Sequence, residues 1–120
     1  MSQTPEIVIE AAEGLVLGTI ECAQMDDEHA KNMRTEVARA AEKAPGLPVV
    51  LDMSKVEMLL SISIGLLVAL LQQFKAEDRR FILAGLQPKV RETLAICRLD
   101  KLFDICDSVE AARARLGAAS

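Results

Sequence analysis

The chain has 120 residues, 51% of them apolar and 27% charged, and a formal net charge of −4. That length supports one domain with a single core that needs no disulfide or metal to hold it. The acidic balance, with basic residues scattered among acidic ones and neither Trp nor Tyr, excludes the cationic face and stacking platform of a nucleic-acid binder.

Three cysteines, Cys22, Cys97 and Cys106, are odd in number and far apart, with no Cys-x-x-Cys pair. They read as reduced thiols rather than a disulfide framework or a zinc site. The opening MSQTPEIVIE has neither the basic region nor the apolar core of a signal peptide, so a cytoplasmic location is expected.

Taken in order, Glu6 to Glu10 and Leu15 to Ile20 are strand candidates, and Ala11 to Gly14 between them is turn-like, so an antiparallel hairpin is expected. Glu21 to Met25 reads as a loop. Asp26 and Asp27 suit a helix N-terminus. From there to Lys43, Ala30, Met33, Val37, Ala40 and Ala44 recur at three- and four-residue intervals, with Lys31, Arg34, Glu36, Arg39 and Glu42 between them. This is the pattern of an amphipathic helix lying on a sheet. Pro45-Gly46-Leu47-Pro48 ends it.

Val49 to Leu51 is a short apolar run of the kind that makes a buried strand, closed by Asp52. Ser54 and Glu57 have the spacing of a capping box, predicting a single turn. A helix is expected to start at Ser61, its hydroxyl capping the first turn, and to run through the apolar Gly65 to Phe74 segment. The apolar run from Met58 to Leu71 is about 14 residues, short of the ~20 that span a membrane, so a buried helix is expected. Lys75 to Arg80 is a polar connection that includes the helix's last turn.

Phe81 to Ala84 reads as another buried strand. Pro88 fits the first position of a helix whose inner stripe is Val90, Leu94 and Cys97, with Ile96 beside it. Arg98 to Leu102 is a turn, and Phe103 to Cys106 reads as a last short strand or an extended segment. Asp107 to Glu110 has a cap-like spacing, after which Ala111, Ala114 and Leu116 are expected to face inward, and Gly117 to Ser120 to fray. The order is an α/β one: a hairpin, then strands alternating with helices. It predicts one domain over residues 1–120, a mixed sheet with right-handed crossovers and helices packed on it.

Enzyme signals are sparse. His29 is the single histidine and sits on the first predicted helix, where a solvated helix-face role is the simpler reading. There is no phosphate-binding glycine loop, and no metal or cofactor is expected. Asp26-Asp27-Glu28 reads as capping, since consecutive residues do not converge on an ion. Ser61 is more informative. An exposed hydroxyl at a helix start is a natural phosphorylation site, because the helix dipole tolerates the added charge.

Leu51-Asp52-Met53-Ser54-Lys55-Val56-Glu57-Met58-Leu59 is similar to the "LDLSGVxFI" pattern of STAS domains, the module of bacterial anti-sigma-factor antagonists and of sulphate-transporter tails. The segment Leu60-Ser61-Ile62-Ser63-Ile64-Gly65 aligns with the family's Asp-Ser-[Ser/Thr]-Gly-Leu-Gly. Leu83 to Arg91 and Leu99 to Phe103 also resemble the later pattern, so the resemblance covers nearly the whole chain. It implies a STAS-like fold and a non-enzymatic regulator. In the antagonist branch an anti-sigma factor that is also a serine kinase phosphorylates the serine matching Ser61, and a PP2C-type phosphatase removes the phosphate. Leu60 stands where that branch has Asp, Ile62 where it has a second hydroxyl, and Ser63 where it has Gly. Ser63 is a second candidate acceptor. Leu59, Leu60, Ser61, Ile62, Ser63 and Ile64 are the expected partner-binding surface, for the kinase or for a second copy in a homodimer. The alternative is a STAS subunit of a larger assembly, a transporter accessory or stressosome-like scaffold, without phosphorylation.

Overall fold

In a computed structural model, the protein is described over residues 7–12 and 14–118. Strands β1 (Ile7–Ala12) and β2 (Leu15–Ile20) form the expected antiparallel hairpin, in register from Ile7 opposite Ile20 to Ala12 opposite Leu15. Gly14 holds φ +79°, a left-handed value that suits the tight turn. Strand β1 runs two residues further than Glu10. Residues 1–6, Glu13, Ala119 and Ser120 lie outside the described residues, and with them Glu6, part of the expected turn, most of the N-terminal segment and the end of the tail expected to fray.

The segment expected to be a loop, Glu21 to Met25, contains a two-residue strand, β3 (Gln24–Met25). Helix α1 (Asp27–Lys43) follows and leads to β4 (Val49–Asp52). A second two-residue strand, β5 (Met58–Leu59), precedes helix α2 (Ser61–Ala76). Strand β6 (Phe81–Ala84), helix α3 (Pro88–Ile96), strand β7 (Asp104–Cys106) and helix α4 (Val109–Ala118) complete the chain.

The main sheet has the order β1-β2-β4-β6-β7, with β2, β4, β6 and β7 mutually parallel. The chain is thus a single α/β domain with a mixed five-stranded sheet and four helices. Side chains alternate across the sheet as strand geometry requires. Val49, Leu51, Phe81 and Leu83 join the larger core with Met33 and Val37 of α1, Leu67, Leu70 and Phe74 of α2 and Val90 and Leu94 of α3. Val50, Ile82 and Cys106 face the other way, into a smaller cluster closed by Ala112 of α4.

Two helix ends explain departures from the predicted stripes. At the end of α3, Arg98 adopts φ +60°, its N–H reaches the Ala95 carbonyl and the Leu99 N–H the Leu94 carbonyl at 2.8 Å. This Schellman closure turns the chain so that Leu99 takes the inner place assigned to Cys97. Cys97 is exposed, and Ile96 is 76% exposed. The end of α2 repeats the motif, with Asp78 at φ +57° and the Arg79 N–H on the Phe74 carbonyl. Arg79 is buried there, its Nη1 donating to the carbonyls of Ala44 and Leu47 and its guanidinium lying 5.7 Å from the Phe74 ring. In α4 the cap is the Ser108 hydroxyl, which accepts from the Ala111 N–H. The inward residues are Val109, Ala112 and Leu116, while Ala111 and Ala114 are exposed. The helix continues through Gly117, expected to fray. In α1, Ala41 is buried and Ala40 only half-buried.

Candidate functional site

The site is built where β4 leaves the sheet. Asp52 Oδ1 accepts the Ser54 N–H at 3.0 Å, and the Val56 N–H closes a turn onto the Met53 carbonyl at 3.0 Å. The Ser54–Glu57 pair therefore makes no capping box: the carboxylate that fixes this turn comes from Asp52. Gln87 Nε2 donates to the Ser54 carbonyl at 2.9 Å, tying the turn to the start of α3. Gly85, at φ +72°, lets the chain pass beside it, since a Cβ there would lie 3.2 Å from that of Ser54.

Beyond the turn, the Ala23 carbonyl accepts from the N–H groups of Glu57 (2.7 Å) and Met58 (3.1 Å). Strands β3 and β5 then pair in parallel, Gln24 opposite Met58 and Met25 opposite Leu59. Lys55 and Glu21 form an ion pair across the same two segments. This small sheet fixes the entry to α2 against the entry to α1. Neither strand has a periodicity to read, because each is only two residues long; Met25 and Leu59, apolar residues buried in it, are the one trace in the sequence.

Leu60 is the N-cap of α2 and makes no side-chain cap hydrogen bond. Ser61 is the first helical residue, so its hydroxyl does not cap the helix as expected. Helical geometry leaves the N–H groups of Ser61, Ile62 and Ser63 without intrahelical acceptors, and no acidic residue stands in the first turn. Ser61 is exposed. Ser63 is fully buried and donates its hydroxyl to the Met25 carbonyl.

Two of the residues expected on a partner-facing surface are therefore interior. Leu59 is 6% exposed and Ser63 not at all, which removes Ser63 as an accessible phosphate acceptor. The two serines are two positions apart, and at 3.6 residues per turn they point to opposite sides of α2. Leu60 (38%) and Ile62 (37%) are exposed on either side of Ser61, Met58 (36%) joins them, and Ile64 is half-buried. Met58 was absent from the expected surface, although its place one residue before buried Leu59 in a strand puts it on the outside.

Asp26 follows Met25, the register partner of Leu59, and caps α1: its Oδ1 accepts the His29 N–H at 3.0 Å and lies 2.7 Å from His29 Nδ1. The backbone hydrogen bond from His29, joined by that of its side chain, holds the Asp26 carboxyl below the usual aspartate value. The single histidine is thus engaged with a cap. Among the described residues no group of His, Cys, Asp and Glu is arranged to hold a metal ion, and no helix is long and apolar enough to cross a membrane. Among the described residues no disulfide joins Cys22, Cys97 or Cys106, and burial raises the pKa of Cys106.

Solved structures share this architecture. RsbS of Moorella thermoacetica, in a variant with glutamate in place of one serine, superposes with a TM-score of 0.83 at 18% identity, over 96% of this chain and 97% of that one. An anti-sigma-factor antagonist domain protein from Planctomyces limnophilus gives 0.79 at 19% identity, over 95% and 98%. An anti-sigma factor antagonist from Mycobacterium paratuberculosis gives 0.79 at 21%, over 91% of each chain. The family model described as the STAS domain matches residues 7–112. With its hairpin, parallel strands and Ser61-led helix inside that match, the chain belongs to the STAS domain family.

Proposed function

We propose that this protein is a non-enzymatic regulator of the anti-sigma-factor-antagonist kind, which docks a serine kinase or anti-sigma factor through the surface around Ser61. Phosphorylation of Ser61 releases the partner, and a PP2C-type phosphatase restores the binding form. The observation that carries this reading is the placement of Ser61: an exposed hydroxyl at the first position of α2, set between exposed Leu60 and Ile62, while the neighbouring Ser63 is buried. A phosphate there meets the positive end of the helix dipole and N–H groups without intrahelical acceptors, so the fold tolerates it. The same charge placed between two apolar side chains must be desolvated when a partner covers them.

The second reading, a constitutive subunit of a larger STAS assembly, is favoured by one feature. Leu60 stands where the resemblance places an aspartate, so the N-cap is apolar and offers a kinase no polar neighbour. Intact-mass analysis of protein from its own cells separates the two readings. The switch requires a single phosphate that maps to Ser61, together with loss of partner binding in Ser61→Asp by about a hundredfold. An unmodified chain whose Ser61→Asp variant binds as tightly as wild type sinks the switch and leaves the constitutive interface.

A further inference from the structure

Strand β1 is an edge of the main sheet, since β2 pairs one side of it and no described strand pairs the other. Its sequence IVIEAA has neither Pro nor Lys, the usual guards of an open edge, and it is six residues long. Helix α1 packs across β1 and β2. Between this helix and the strand edge runs a groove floored by Ile9, Ala11 and Ala40 and rimmed by Glu36, Arg39 and Lys43. From these features we infer that the β1 edge is a homodimer interface, at which a second copy adds its own β1 antiparallel across a two-fold axis and joins the two sheets into one.

Three observations favour a second copy over any other occupant. The first is register. A two-fold centred on Ile9 sets Ile7 opposite Ala11 and Ile9 beside its mate on the face toward α1, and Val8 opposite Glu10 on the other. Apolar residues thus meet apolar residues on the groove side, where Ile7 and Ile9 already pack against the core. The second is spacing. With strands about 4.8 Å apart, a helix lying between β1 and β2 stands about 5 Å from that axis, so the two α1 helices come about 10 Å apart. That is the distance at which helices pack, with the half-buried Ala40 at the closest approach.

The third is charge. Glu36 and Lys43 are seven residues apart, about two turns along the same face of α1, with Ala40 between them. Antiparallel helices related by the two-fold place Glu36 of each copy against Lys43 of the other, twice over. Arg39, the third charge on the rim, holds Glu36 only loosely at 3.5 Å within its own chain, so the pairing across the axis rests on Glu36 and Lys43 alone.

This surface shares no residue with the one around Ser61, so the dimer is tested independently of the switch. Sedimentation equilibrium of the full chain, across micromolar to high-micromolar concentration, is expected to show a reversible dimer. Glu36→Lys and Lys43→Glu, both at exposed helix positions that leave the fold intact, should each weaken it by about tenfold, and the double variant should restore it to within about threefold. Ile9→Lys, checked for cooperative melting, should give a monomer. A wild-type chain that stays monomeric overturns the inference. So does a dimer indifferent to the single reversals, or one that the double reversal fails to restore.

Discussion

Ser61 and Ser63 carry the same hydroxyl two residues apart, and the fold gives them opposite duties. Ser63 lies on the buried stripe of Leu67, Leu70 and Phe74, four, seven and eleven positions ahead, and its hydroxyl fastens the first turn of α2 to β3 through the Met25 carbonyl. The stripe was present in the sequence, but α2 is so apolar on all sides that its phase does not stand out. Mutation should separate the two serines. Ser61→Ala removes an exposed hydroxyl that caps nothing and should change stability by less than about 0.5 kcal/mol. Ser63→Ala strips a buried carbonyl of its donor and should cost about 1–3 kcal/mol. Equilibrium denaturation of both variants in urea measures the difference. Equal losses would mean that the Ser63 bond to Met25 contributes nothing.

At the scale of elements, periodicity located the five-stranded sheet and four helices, because runs such as VVL and FILA and the spacing in α1 report burial directly. Helix ends were less legible. Proteins commonly close a helix with glycine at the left-handed position, and glycine would have marked the boundary; here Asp78 and Arg98 occupy it. Without that mark, the spacing extends the α3 stripe through Cys97, whereas the chain has already turned there to bring Leu99 inward. In α4 the alternatives were alanines, which carry no phase, whereas Val109 and Leu116 did carry it. The strands β3 and β5 were illegible for another reason. Their pairing joins segments more than thirty residues apart, and it is the fold that brings them together. The left-handed residue at the end of α3 also gives a test. Arg98→Gly relieves the Cβ strain of an exposed residue at φ +60° and should stabilise the protein by about 1 kcal/mol, seen as a raised Tm. A lowered Tm would show that the side chain of Arg98 matters more than its backbone.

For the molecule as a whole, the sheet separates two unequal cores, and β4 at its centre serves both. Val49 and Leu51 face the larger core under α1 and α2, and Val50 faces the smaller one under α4, with Leu15, Ile82, Ala84, Cys106 and Ala112 around it. Every one of these residues is at most 4% exposed. The smaller core contains no cation among its buried members, so a carboxylate introduced at position 50 has nothing to pair with. Val50→Asp must then either hold a charge in an apolar site or protonate at neutral pH, and both routes cost several kcal/mol out of a total that is ordinarily 5–15. Val50→Ala removes two methyl groups and leaves a small cavity, at about 1–3 kcal/mol. The expected outcome is a folded Val50→Ala protein with a lowered Tm and a Val50→Asp protein that does not accumulate in soluble form. The pair tests the two-sided architecture, because a strand covered on one face only would let the aspartate reach water. A soluble Val50→Asp chain with a cooperative melt would mean that α4 does not seal that face of the sheet.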